Sequence, residues 1–195
     1  MNLKDLFNNK IILDSADKLN NPINKAVGYE YIVAGNGVFI RAENQFFKVC
    51  FQIAECEIRN LLNCEEYFVM KKGKIPLEIC EAIKNDIENS DTKKEKFLQV
   101  VYRDGEYTIF IPEQKGSGTA VKYESQEQDV ILEVHSHPEM SAFFSEIDNQ
   151  DEKGFRLYGV FSVIDGKVDE FILRISVYGY YKMLPCYEIA EELDV

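Results

Sequence analysis

The chain has 195 residues, 46% apolar and 29% charged, an ordinary balance for a soluble globular protein with room for one domain and a small appendage. Its 22 Lys and Arg against 34 Asp and Glu leave a formal charge of −12, which argues against nucleic acid or an anionic membrane as the main partner. Charges interrupt the N-terminal MNLKDLFNNKIILDSADK and no uncharged apolar run is long enough to cross a bilayer, so neither a secretory leader nor a membrane span is expected and a cytoplasmic location is.

Residues 1–28 are polar and rich in Asn and Lys, with a short amphipathic piece near Leu3–Leu13: a loose arm or a first helix. Strands follow. Tyr31-Ile32-Val33 and Val38-Phe39-Ile40 flank Gly35-Asn36-Gly37, a hairpin signal because Asn and Gly tolerate positive φ. Phe46 to Phe51 reads as a third strand, Ala54–Leu62 as a short helix and Tyr67–Met70 as a short strand. These make a small β-rich module over 1–73, with Lys71-Lys72-Gly73-Lys74 as the joint to a second part, 74–195.

Residues 76–89 give the clearest helix. Pro76 suits its first turn, and Leu77, Cys80, Ile83 and Ile87 form one stripe with Ile79 alongside. Residues 90–95 form a loop ahead of strands Phe97–Tyr102 and Tyr107–Ile111, which join through Asp104-Gly105. Pro112–Gly118 reads as a flexible loop, either a flap over a substrate or only a connector; Val121–Tyr123 reads as a strand and Ser125–Asp129 as a polar turn. Near the C-terminus, Leu157–Ile164 and Val168–Val177 are long strands around Asp165-Gly166-Lys167, the first apolar enough to be buried on both faces. Tyr178, Tyr180, Tyr181 and Tyr187 form an aromatic tail suited to a half-exposed edge of the core, ahead of a short acidic end.

The chemistry concentrates in residues 129–148. Residues 129–137 read as a strand whose period of two places Glu133, His135 and His137 on one face with Ser136 behind them. Two imidazoles on one strand face can take two corners of a tetrahedral zinc site, and both histidines of the chain lie here. Pro138 ends the strand, so the histidines sit at its mouth. Ser145-Glu146-Ile147-Asp148 reads as a helix start with a capping-box pattern, the helix running over about 145–153 to a C-cap at Gly154. Turned back over the strand end, Asp148 can supply a third ligand and leave the fourth position to water, the catalytic rather than the structural arrangement. The five cysteines are odd in number and lack a Cys-x-x-Cys, so they read as free thiols in a reducing compartment; a Cys–His dyad would have to take a histidine from the metal.

His135-Ser136-His137, seven residues, then Ser145 and Asp148 resembles the JAMM motif of the MPN (Mov34-type) domain family over about residues 74–181. The longer run Glu133–His137, Ala142–Ser145, Asp148, Asp151-Glu152 and Gly154–Val160 is similar to the bacterial PRTRC system protein A group, a likeness that extends back to Tyr29–Phe47. The resemblance implies an α+β fold: a curved, mostly antiparallel sheet with flanking helices, here with the N-terminal β-rich module added. It implies a JAMM-type zinc metalloprotease that cuts peptide or isopeptide bonds, on a protein or peptide substrate such as a ubiquitin-like conjugate or tail. One zinc ion per chain would sit on His135, His137 and Asp148, with Ser145 bonding the developing oxyanion or the water.

The general base in the family is a Glu just after the first helix, which here is Glu95. Glu113, after Pro112 at the end of another strand, is the rival, and Glu133 shares the histidine face about 7 Å deeper along the strand. This chain departs from the family in Met140–Phe144, which lacks the further prolines often found before the Ser, and a strand follows directly after the helix of Asp148 where ubiquitin-gripping insertions would lie. The second reading is an inactive MPN-type scaffold or binding module in a larger complex. Neither reading sets the oligomeric state.

Overall fold

Turns in this chain are set by residues that accept positive φ. Asp104 and Gly105, Asp165 and Gly166, and Tyr178 and Gly179 all do so in pairs, the twist of a two-residue hairpin loop, and each pair joins two antiparallel strands. The computed structural model describes residues 11–13, 28–90, 94–116, 121–123 and 129–190, with backbone alone at 11–13, 114–116 and 121–123. The chain forms two compact units, Met1–Gly73 and Lys74–Val195. The described residues hold two α-helices and one 3-10 turn, Cys186–Glu188, among their strands, and the fold is α+β as expected.

The first unit is a five-stranded sheet in the order β1 (Ile11–Leu13), β2 (Tyr29–Ala34), β3 (Gly37–Glu43), β4 (Phe47–Glu55) and β5 (Tyr67–Met70). β1 runs parallel to β2 and the other pairs are antiparallel. Ile32, Ala34, Phe39, Cys50 and Cys64 make its core, with Tyr67 packed against them. Burial pushes the Cys50 and Cys64 thiols up, so they behave as small apolar groups and not as nucleophiles. Arg41 and Glu30 are both buried and meet at 2.6 Å.

Two N-terminal expectations change. The amphipathic piece near Leu3–Leu13 has β1 at its end, and the rest of it lies outside the described residues. No helix forms over Ala54–Leu62: β4 runs on to Glu55 and the chain then crosses irregularly. The backbone groups there are claimed by the hairpin turn, with Ile58 N–H donating to Gly35 O and Gly35 N–H to Leu62 O. Asn36 also exchanges two side-chain bonds with the Cys64 backbone. Long-range bonds thus replace the local ladder a helix needs.

The second unit is a six-stranded sheet in the order β13 (Tyr180–Leu184), β12 (Lys167–Val177), β11 (Arg156–Ile164), β10 (Val130–Pro138), β6 (Phe97–Arg103) and β7 (Glu106–Phe110). Only β10 and β11 are parallel. Helix α1 (Leu77–Glu88) buries Cys80, Ile83 and Ile87, each isoleucine contributing about 2 kcal/mol, while Leu77 stays exposed at the first turn. β11 is buried on both faces, as its apolar run predicts. At its centre Gly159 leaves room for the Phe171 ring, which an added Cβ would meet at 2.5 Å; Phe171 also stacks on Phe161 at 4.2 Å.

Two further expectations are corrected here, at 114–116 and at the end of the second helix, while Tyr180 and Tyr181 near the C-terminus lie half-exposed at the sheet edge as expected. Gln114–Gly116 is a strand, β8, paired antiparallel with β9 (Val121–Tyr123), so the glycine-containing loop begins as a hairpin; residues 117–120 and most of the predicted turn at 125–129 lie outside the described residues. The aromatic tail contains β13, whose turn signal was hidden because Tyr178 is an unusual residue at positive φ. Helix α2 (Glu146–Asp151) stops earlier than expected, with Glu152 and not Gly154 at its C-cap. Around Gly154 a Cβ would meet two side-chain ends, Arg156 Nε at 2.9 Å and the Tyr158 hydroxyl at 3.1 Å, which would have to give way.

Candidate metal centre

A shift of register between Val130 and Leu132 places three consecutive residues of β10 in the core, after which side chains alternate between the two faces of the strand. That alternation brings His135 and His137 to one face, with Nε2 atoms 3.2 Å apart. The His137 Nδ1–H donates to Ser141 O at 3.3 Å, which directs the Nε2 lone pair toward His135. The Phe143 ring meets His137 edge-on at 4.7 Å.

Asp148 arrives from α2. Ser145 caps that helix: its hydroxyl accepts from Asp148 N–H at 3.2 Å, and Asp148 Oδ2 accepts from Ser145 N–H at 2.6 Å. This reciprocal pair leaves Oδ1 for the histidines, 3.6 Å from His135 Nε2. One donor atom from each of His135, His137 and Asp148 lies within 4.8 Å of the others, so the cluster can hold a metal ion. Tetrahedral zinc with bonds of about 2.0–2.1 Å separates its donors by about 3.4 Å, between the two measured spacings, and two imidazoles with one carboxylate are a zinc donor set. Burial holds His135 down to about 4, so its ring is neutral near pH 7, the form that ligates.

The cluster opens into a cavity of about 300 Å³ that Glu95 and Ser145 also line, with Met140, Phe143 and Ile147 exposed around it. Glu95 precedes β6. Ser136 clamps that segment, its N–H donating to Lys96 O at 2.9 Å and its hydroxyl accepting from Lys96 N–H at 3.0 Å. Burial, with the nearby Asp148 carboxylate, pushes Glu95 up to about 7. Glu113 is exposed and does not line the cavity. Glu133 does line it, but its Oε1 accepts from Arg156 at 2.6 Å and from Gln99 at 2.9 Å.

The residues that hold α2 were not singled out from the sequence. Arg174, buried on β12, donates from Nε to Glu152 at 2.8 Å and from Nη1 to Asn149 at 2.6 Å, with its plane between the Phe144 and Tyr181 rings. Burial raises the Glu152 carboxyl and the guanidinium beside it draws it back. The sequence did carry a signal: one arginine inside Phe171-Ile172-Leu173-Arg174-Ile175 is a charge in an apolar strand, which must be paired if buried.

Among the described residues no helix is long and apolar enough to cross a membrane. A search of curated proteins finds no match to the chain. A family model describing prokaryotic homologues of the JAB domain matches residues 66–175, starting one residue before β5 and ending inside β12, a span that includes the metal cluster. The match speaks to the domain family and not to the narrower PRTRC group. Covering more than half of the chain, and agreeing with the motif and the α+β fold, it shows that this chain belongs to the JAB/MPN domain family.

Proposed function

We propose that this protein is a zinc-dependent metallopeptidase or isopeptidase of the JAMM type, with one zinc ion per chain on His135, His137 and Asp148. Its substrate is a protein or peptide, with ubiquitin-like conjugates or tails first among the candidates by family likeness. The observation that carries this reading is the convergence of three donor atoms within 4.8 Å at the wall of a cavity that Glu95 and Ser145 share.

Zinc, when bound, would lower the pKa of its water to about 7 and polarise the scissile carbonyl. The protein does the rest. Glu95, with its carboxyl near 7, takes the proton from the attacking water and hands it to the leaving amine, a task suited to a base poised near working pH. The Ser145 hydroxyl already accepts from Asp148 N–H and keeps its own hydrogen to donate to the carbonyl oxygen as negative charge develops. The capping box holds that hydroxyl and the Asp148 carboxylate in fixed relation. The apolar rim of Met140, Phe143 and Ile147 can cover an extended substrate and exclude water.

Metal analysis of the purified protein beside His135→Ala/His137→Ala tests the reading. About one equivalent of zinc in the wild type and none in the variant is expected, followed by cleavage of a ubiquitin-like fusion that Glu95→Gln abolishes while keeping its zinc. A wild type that takes up no zinc after reconstitution would leave the inactive scaffold in its place.

A further inference from the structure

Helix α2 carries a metal-site carboxylate but has little to hold it. It is six residues long, and none of them is buried. A single helical turn and a half is not stable by itself, and helices in proteins are normally held by an apolar face, which α2 lacks. What it has is one buried cation. Arg174 touches the chain on both sides of Ser145 and Asp148. Its guanidinium lies 3.8 Å from the Phe144 ring, immediately before Ser145; Nη1 bonds Asn149, immediately after Asp148; and Nε and Nη2 both bond Glu152 at the end of the helix. Tyr181 closes the other face of the guanidinium at 4.0 Å and sends its hydroxyl to Asn149 O at 2.8 Å. Ser176 adds a bond to Glu152 O.

We propose that Arg174 is the positioning residue of the metal centre: by fixing residues 144, 149 and 152 from the sheet, it aims Asp148 Oδ1 at His135 and His137 and holds Ser145 at the cavity. The proposal rests on the assignment of Asp148 as a metal ligand. Its geometry depends on arginine specifically. The planar fork reaches Glu152 and Asn149 at once while its central carbon lies over the Phe144 and Tyr181 rings, and a lysine ammonium has no such planar fork to present. Leu173 and Ile175, the buried apolar residues on either side of Arg174, alternate to the other face of β12, so core packing can be tested apart from the contacts of the guanidinium.

The test compares Arg174→Lys, which keeps the charge beside Glu152, and Arg174→Met/Glu152→Gln, which removes both charges, with Leu173→Ala. Leu173 is the adjacent buried residue and points to the other face of β12. Two quantities are read: the affinity for Zn²⁺ and Co²⁺ by chelator competition, with the Co²⁺ absorption spectrum, and amide hydrogen exchange of the metal-free proteins. Both arginine variants are expected to lose about 10- to 100-fold in metal affinity and to shift the Co²⁺ bands. Exchange should quicken over residues 144–152 while β10 and β11 stay protected. Leu173→Ala should lower the melting temperature and leave affinity and local exchange as in the wild type.

Unchanged affinity and protection in Arg174→Lys would overturn the proposal. So would an equal loss in Leu173→Ala at matched stability. Should the wild type itself bind neither metal, the proposed function fails, and exchange over 144–152 still decides whether Arg174 holds this helix.

Discussion

His135 and Glu95 share one cavity wall and are pushed in opposite senses by the same cause. Burial favours the neutral form of each, holding the imidazole down to about 4 and the carboxyl up to about 7. For Glu95 the folded value lies above its ordinary 4.5, so ionising it costs folding stability. That cost is absent below about 4.5, grows through the interval and is complete above about 7. In chelator-treated protein, Glu95→Gln should therefore gain on the wild type as pH rises across that window, read by urea denaturation at steps through it. A constant difference at every pH would mean that Glu95 is not desolvated. His135 acts the other way, its contribution to stability being lost as pH falls from about 6.5 toward 4, so the comparison must be made on the glutamine variant and not on the raw pH curve. Asp148→Asn keeps the size of the side chain and removes its charge; it should lower zinc affinity at least tenfold in the same chelator competition, because a neutral amide is a poor ligand for zinc.

Between the single side chain and the sheet lies the way β10 and β6 are tied. The Ser136 hydroxyl has no role as a ligand; it accepts the Lys96 N–H and keeps the segment carrying Glu95 against the histidine strand. Ser136→Ala should cost about 1 kcal/mol of stability, the worth of one hydrogen bond, by denaturant titration. Under the proposed function it should also lower kcat more than it raises KM and leave zinc content at one equivalent, because it loosens the segment carrying Glu95 and not His135, His137 or Asp148. Gly159 offers a test of the packing beneath. Gly159→Ala drives a methyl into the buried Phe171 ring, which would have to shift, and should destabilise by about 1–3 kcal/mol in the same titration. The boundary of α2 shows why element ends were hard to read. Gly154 has the residue type of a C-cap, but the helix had already stopped at Glu152, whose side chain is committed to Arg174.

At the scale of the molecule, the described residues form two larger sheets, one in each unit, and His135, His137 and Asp148 all belong to the second unit. A metal that binds the folded form and not the unfolded chain stabilises by mass action, about 2.7 kcal/mol at about 100 times Kd. Zinc should therefore raise the thermal transition of wild-type protein by several degrees and leave that of His135→Ala/His137→Ala unmoved, read by scanning calorimetry with and without chelator. Much of this centre was legible before any fold was known, because its parts are local. Two histidines two residues apart on a strand must share a face, and Ser145 with Asp148 is a helix start whose capping bonds span only four residues. The hairpins at Asp104-Gly105 and Asp165-Gly166 were legible for the same reason, as was the double burial of β11. The stretch after β4 was not, since bonds between Gly35 and both Ile58 and Leu62 claimed backbone that local propensity assigned to a helix. Nor was the use of Arg174: a charge inside an apolar strand announces that it needs partners, but periodicity carries no record of which distant segment supplies them. Short-range pattern names the candidate donors, whereas their convergence is a contact between β10, α2 and β12, which exists only once the sheet has formed.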